Sequence, residues 1–135
     1  MSRKSALIVI IAVALLAVVT GIYTASYLKK GEYEDITVQE AADLIDKTPD
    51  LVILDVRTIS EYNEGHIEGA INIPVDDLEN RLDELDKEDK ILVYCRTGNR
   101  STTAVELLEE TGFLNLYHMY EGISEWREQD YSVVQ

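Results

Sequence analysis

Two short apolar runs most restrict what this chain can fold into: "LVILDV", apolar from residue 51 up to Asp55, and "ILVY" at residues 91–94. A strand with one wet face alternates apolar and polar side chains, whereas these runs suit strands buried on both faces. Such strands belong to a parallel sheet sandwiched between helices, and the intervening segments carry helical patterns. In "ITVQEAADLI", Thr37 and Glu40 form a capping box, and Val38, Ala41 and Ile45 recur at helical spacing after a short strand at Ile36. Thr58 and Glu61 make a second capping box for a short helical turn ending near Gly65. "AINIP" predicts a brief strand stopped by Pro74. Leu78, Leu82 and Leu85 predict a third amphipathic helix with an acidic outer face. A helix from about Ser101 to Thr111 buries Ala104, Leu107 and Leu108 and stops at Gly112; "LYHMY" is a last strand and "ISEWRE" a last short helix. The expected class is α/β, a central parallel sheet of about five strands with right-handed crossovers and helices on both faces, over residues 36–135.

Residues 5–28 carry no charge, and "ALIVIIAVALLAVVTGIY" within them would be a helix of about 27 Å at 1.5 Å per residue. That is long enough to span a bilayer, and longer than the apolar core of a secretory signal. An uncleaved anchor at residues 1–28 is expected, followed by a charged linker at 29–35; the alternative is a signal cleaved near Thr24-Ala25-Ser26, giving a secreted or periplasmic protein. Arg3, Lys4 and the amino terminus on one side compete with Lys29 and Lys30 on the other, and the balance leans to a domain outside the cytoplasm. Beyond residue 30 stand eight basic residues against 26 acidic ones, so nucleic acid and anionic lipid surfaces are disfavoured partners.

The single cysteine, Cys95, follows the second apolar run. In parallel sheets ligands sit at the carboxyl ends of strands, which is where it falls. The residues Arg96, Thr97, Gly98, Asn99 and Arg100 then curl into the start of a helix, whose first N–H groups lack internal partners and face the sulfur. A helix start and arginines favour thiolate over thiol, and the same cradle can hold an anion. On position alone an inert buried cysteine is as good a reading.

The surrounding residues decide between the two. "LDVRTISEYNEGHIEGAINIP", "YCRTGNRS" and "MYEGISEWREQDYSVV" together closely resemble the rhodanese homology domain, in three ordered blocks across about residues 36–135. The resemblance implies that Cys95 is the nucleophile carrying sulfane sulfur as a persulfide. It makes residues 96–100, with Ser101 after them, the active-site loop that binds substrate. Asp55, Arg57 and Glu61 match positions that organise the fold around that loop, and His66 in "GHI" reads as structural. Glu121 stands where the family usually has the first glycine of a pair, Gly122 being retained, and an acidic residue beside the pocket would oppose anionic donors.

The implied reaction is sulfur transfer from a small donor such as thiosulfate to a thiol or cyanide-like acceptor, with no cofactor. Arg96 and Arg100 are candidates to attract the donor. The alternative from another class is a membrane-tethered persulfide carrier or redox sensor. A phosphatase loop of the form C-x5-R is disfavoured, since Ser101 holds the sixth position after Cys95 and Arg100 falls one residue early. A cysteine–histidine hydrolase finds no supporting signature around His66 or His118, and one cysteine with two distant histidines lacks metal-ligand spacing.

Overall fold

The computed structural model describes residues 3–27 and 32–135. The chain divides into two compact units, Met1–Lys30 and Gly31–Gln135.

In the first unit a single helix, α1, runs over Arg3–Tyr27, and Ile8, Ile10, Val13 and Leu16 are among its exposed side chains. Among the described residues no helix is long and apolar enough to cross a membrane. The expected spanning helix is therefore not supported here: the described side chains of α1 reach only Thr20, short of the full uncharged segment 5–28 on which that expectation rests. Of the expected linker, residues 29–31 lie outside the described residues, and its last two, Glu34 and Asp35, are already strand.

The second unit is built on five parallel strands, β1 (Glu34–Ile36), β2 (Val52–Asp55), β3 (Ile71–Asn72), β4 (Lys90–Tyr94) and β5 (Asn115–Met119), in the order β1-β5-β4-β2-β3. Central β4 has neighbours on both edges and layers on both faces, so Ile91, Leu92, Val93 and Tyr94 are wholly buried. That is why the run is apolar at every position. The pleat sorts it: Ile91, Val93 and Cys95 join Leu54 and Val56 on one face, and Leu92 and Tyr94 join Ile53 on the other. Leu78 at the end of α4 (Val75–Leu78) and Ala104, Val105 and Leu108 of α5 (Asn99–Glu110) cover the first face. Val38 and Ala41 of α2 (Val38–Lys47), with Ile123 and Trp126 of α6 (Gly122–Glu128), cover the second.

Both capping boxes form, Thr37 with Glu40 at α2 and Thr58 with Glu61 at α3 (Ile59–Asn63). The third amphipathic helix does not. After α4 the Asn80 and Arg81 N–H groups bond three residues back, to Asp77 and Leu78 carbonyls, and the chain tightens into a 3-10 turn at Leu82–Glu84. Arg81 leaves helical geometry (φ −126°) and grips Glu84 with both arms of its guanidinium. Leu78, Leu82 and Leu85 still reach the same core, because a leucine spacing of four and then three is met by this broken path as well as by a helix.

Candidate active site

At the end of β4 the chain turns through Cys95–Gly98 into α5, whose first residue is Asn99, two positions before the expected start. The turn needs glycine twice. Gly98 (φ +104°) lies so close to Tyr120 that a Cβ would overlap its carbonyl, and a Cβ at Gly122 (φ +73°) would overlap the carbonyl of Arg96. The start of α6 closes on the same loop: the Ile123 N–H donates to the Cys95 carbonyl at 2.9 Å and the Ser124 N–H to that of Arg96 at 3.1 Å. The loop is held by backbone from the helix that follows β5.

Within it, Cys95 Sγ accepts from the Gly98 N–H at 3.1 Å and from the Ser101 hydroxyl at 3.2 Å, and the thiol is 1% exposed. Burial by itself pushes the thiol pKa up. Hydrogen bonding from Ser101, through side chain and backbone, and from the Gly98 and Thr97 N–H groups outweighs it and draws the pKa below the ordinary value. The thiolate is thus favoured by directed donors.

Around the loop stands a frame of ion pairs. Arg100 forks onto Glu61, Nη1 to Oε2 at 2.7 Å and Nη2 to Oε1 at 2.8 Å. This pairing, with the Thr58 backbone and hydroxyl bonds, holds the Glu61 carboxyl down at about 2 despite partial burial. Arg100 is thus paired with Glu61, while Arg96 remains exposed. Asp55 and Arg57 form a buried pair, 0% and 3% exposed, with Nη2 to Oδ2 at 2.6 Å, Nε to both carboxylate oxygens at 3.0 Å, and the Arg57 Nη2 donating also to the Gly65 carbonyl at 2.8 Å. His66 stacks on Tyr62 at 3.7 Å and bridges Val134 through its backbone, away from the sulfur's hydrogen-bond partners.

Glu121 reaches the start of α2. Its Oε2 accepts the Val38 N–H at 2.8 Å, at the first turn of α2. The carboxylate thereby compensates a helix start.

Beside the loop lies a cavity of about 410 Å³ lined by Arg57, Glu61, Glu64, Arg96, Ile123, Ser124, Arg127 and Glu128. Two of its charges are spent in the frame, on Asp55 and Arg100. Arg96 and Arg127 are then balanced by Glu64 and Glu128, so the cavity is no strong anion trap.

The fold brings to Ser101 a histidine that sequence reasoning weighed only for hydrolase and metal chemistry, and behind it an aspartate that reasoning passed over. His118 on β5 lies on the same face as Val93, its register partner on β4, and Cys95. Its Nε2 is 2.8 Å from Ser101 Oγ and its Nδ1 2.7 Å from Asp35 Oδ1, Asp35 being its register partner on β1. The signal was present: in "LYHMY" the period-two pattern places an imidazole beside Leu116 on a face that is otherwise apolar.

The Rhodanese-like domain family model matches residues 37–129. Thiosulfate sulfurtransferase GlpE of Coxiella burnetii is 36% identical over 95 residues, 70% of this chain and 88% of that protein. The putative sulfur carrier protein YrkF of Bacillus subtilis is 34% identical over 92 residues, 68% of this chain, which spans only 50% of YrkF's length. Among solved structures, a rhodanese-related protein from Thermoplasma volcanium superposes with a TM-score of 0.67 at 38% identity, over 76% of this chain and 98% of that one. With the parallel sheet, the cysteine loop at its carboxyl end and these likenesses in agreement, the chain belongs to the rhodanese-like domain family.

Proposed function

We propose that the chain is a sulfurtransferase that carries sulfane sulfur on Cys95. The observation that supports this most is the convergence of the Gly98 N–H and the Ser101 hydroxyl on Cys95 Sγ. The Cys95 thiolate attacks the outer sulfur of a donor such as thiosulfate; the S–S bond forms on Cys95, the donor's S–S bond breaks, and sulfite leaves with its electron pair. The loop N–H groups then stabilise the terminal persulfide anion as an oxyanion hole stabilises oxygen. A thiol or cyanide-like acceptor takes the outer sulfur and returns the thiolate. Arg96, on the loop itself, is a guanidinium left to meet a charged donor, in a cavity whose other charges nearly cancel. Selection then falls on the fit of sulfur to the loop more than on net charge.

Intact mass tests the reading. The full chain treated with thiosulfate is expected to gain one sulfur atom, and cyanide should remove it as thiocyanate; Cys95→Ser should take up none while melting as the parent does. Persistent transfer by Cys95→Ser, or no cyanide-labile sulfur on the parent from any sulfane donor, would overturn it. The likeness to a putative sulfur carrier favours a second reading, a carrier that loads stoichiometrically and turns over poorly with small acceptors. Turnover number with cyanide separates the two.

On the uncharged residues 5–28 alone, we further propose that the chain is tethered to a membrane with its domain outside the cytoplasm. Retention in membranes through carbonate washing and access of external protease to the domain are expected; release of the chain by carbonate would end this proposal.

A further inference from the structure

Behind Cys95 runs a hydrogen-bonded chain that the sulfur-transfer reading leaves unused. Ser101 Oγ sits 3.2 Å from Cys95 Sγ, 2.8 Å from His118 Nε2 and 2.9 Å from the Gly98 carbonyl, and His118 Nδ1 sits 2.7 Å from Asp35 Oδ1. Cys95, Ser101 and His118 are each at least 97% buried, so water does not supply these partners. Ser101 has one hydrogen for three acceptors. The Asp35 carboxylate accepts and cannot donate, so Nδ1 carries a proton and Nε2 is the atom whose state varies.

We propose that His118, oriented by Asp35, is a positioning residue that holds the Cys95 proton through Ser101. With His118 neutral, the thiol S–H points at Ser101 Oγ and the hydroxyl donates to Nε2. The relay moves the thiol proton to Ser101 as the hydroxyl proton passes to Nε2. Cys95 becomes thiolate, Ser101 remains a hydroxyl but now donates to sulfur, and His118 becomes an imidazolium paired with Asp35. One S–H bond is exchanged for one N–H bond and no charge is created overall. In this state Nδ1–H meets Asp35, Nε2–H meets Ser101, and the hydroxyl meets the thiolate.

The charged and titratable groups facing this chain come from three elements. Asp35 on β1 faces the imidazole, with Tyr33 just before that strand set edge-on to the ring at 6.0 Å. Tyr33 stays protonated, its pKa raised by burial and then by Asp35, Glu106 and Glu109, the last two on α5. Cys95 itself follows β4, and Arg100 at the start of α5 acts on Cys95 but is tied to Glu61. No second base reaches Ser101 among the described residues.

This inference concerns the same cysteine as the sulfur-transfer reading, but its test does not depend on sulfur transfer. The chain has one cysteine, so alkylation of the full protein by iodoacetamide, an uncharged probe, reports Cys95 alone. His118→Gln is expected to raise the pH midpoint of alkylation by about one unit or more, the scale of losing a hydrogen-bond arrangement to a charged group. Ser101→Ala should raise it too, and adding His118→Gln to Ser101→Ala should do nothing further. Asp35→Asn, remote from the sulfur, should raise it less. In the parent, nitrogen-15 spectra should show Nε2 protonated at neutral pH and losing that proton once Cys95 is alkylated. Unmoved midpoints, additive shifts in the double variant, or an Nε2 state blind to alkylation would overturn the proposal, even if His118→Gln were poorly folded. A protein that passes these tests but never takes up sulfur would sink only the transferase reading.

Discussion

Two polar networks meet at the carboxyl end of the sheet, and they differ in whether their protons have a choice. In the frame, Asp55 with Arg57 and Glu61 with Arg100, the guanidinium donors named above face carboxylate or carbonyl acceptors, and arginine keeps its charge at any ordinary pH. In the chain from Cys95 through Ser101 and His118 to Asp35, one hydroxyl hydrogen has three acceptors. The frame therefore fixes shape, and the chain can hold two arrangements of nearly the same geometry. The cycling of a sulfur between thiolate and persulfide proposed above would use both: the first would keep the loop in place while the second adjusted to the charge on the sulfur.

The largest effect that would test this division comes from the frame. Arg57→Ala leaves Asp55, 0% exposed, without its partner, and breaking a buried pair in this way costs about 3–5 kcal/mol. Urea unfolding of the full chain measures it. A loss below about 1 kcal/mol, the range of exposed pairs, would show that water or rearrangement satisfies Asp55 and that the frame is not rigid.

Next comes the contact between loop and α6. Gly122 and Gly69 both have positive φ, +73° and +81°, but a Cβ at Gly122 would overlap Arg96 and crowd the Thr97 nitrogen, while at Gly69 it meets nothing within 4 Å. Gly69→Ala should thus cost only the left-handed backbone term, about 1–2 kcal/mol, and Gly122→Ala more than that. The second should also raise the alkylation midpoint of Cys95, because it displaces the Thr97 N–H that helps hold the thiolate. Equal costs and an unmoved midpoint would separate the glycine from the sulfur.

Much of this was legible in the sequence where the cause is local. Thr37 with Glu40 and Thr58 with Glu61 are three residues apart, and both boxes form as read. The all-apolar "ILVY" reports burial on two faces because each of its residues packs in one of two cores. Partners joined by the crossovers were not legible: Glu61 and Arg100 are 39 residues apart, and Asp35 and His118 are 83 apart. Only the strand order, which puts β5 between β1 and β4, brings Asp35, His118 and Ser101 into line. Glu121 shows the same limit, since its direction is set by α2, 83 residues earlier in the chain. The leucines at 78, 82 and 85 misled for another reason: their spacing records which face is buried, and more than one backbone path satisfies it.

The smallest effect is the sharpest on the comparison. Glu61→Gln keeps an oxygen to accept from Thr58 but weakens the fork to Arg100, a partly exposed pair whose loss costs about 1 kcal/mol. The folded-state pKa of Glu61, about 2, lies below the ordinary carboxylate value of 4.5 that the unfolded chain has. Its contribution is therefore complete above the unfolded value and is lost as the pH falls toward about 2. The stability gap between parent and Glu61→Gln, followed by urea unfolding, should hold steady near neutrality, shrink in that acid window and close below it. The Cys95 alkylation midpoint should stay or fall slightly, since Arg100 loses a countercharge near the sulfur, whereas His118→Gln raises it. Opposite signs would assign shape to the frame and proton to the chain. A rise in Glu61→Gln as large as that in His118→Gln would mean that one network governs both, and the division drawn here would fail.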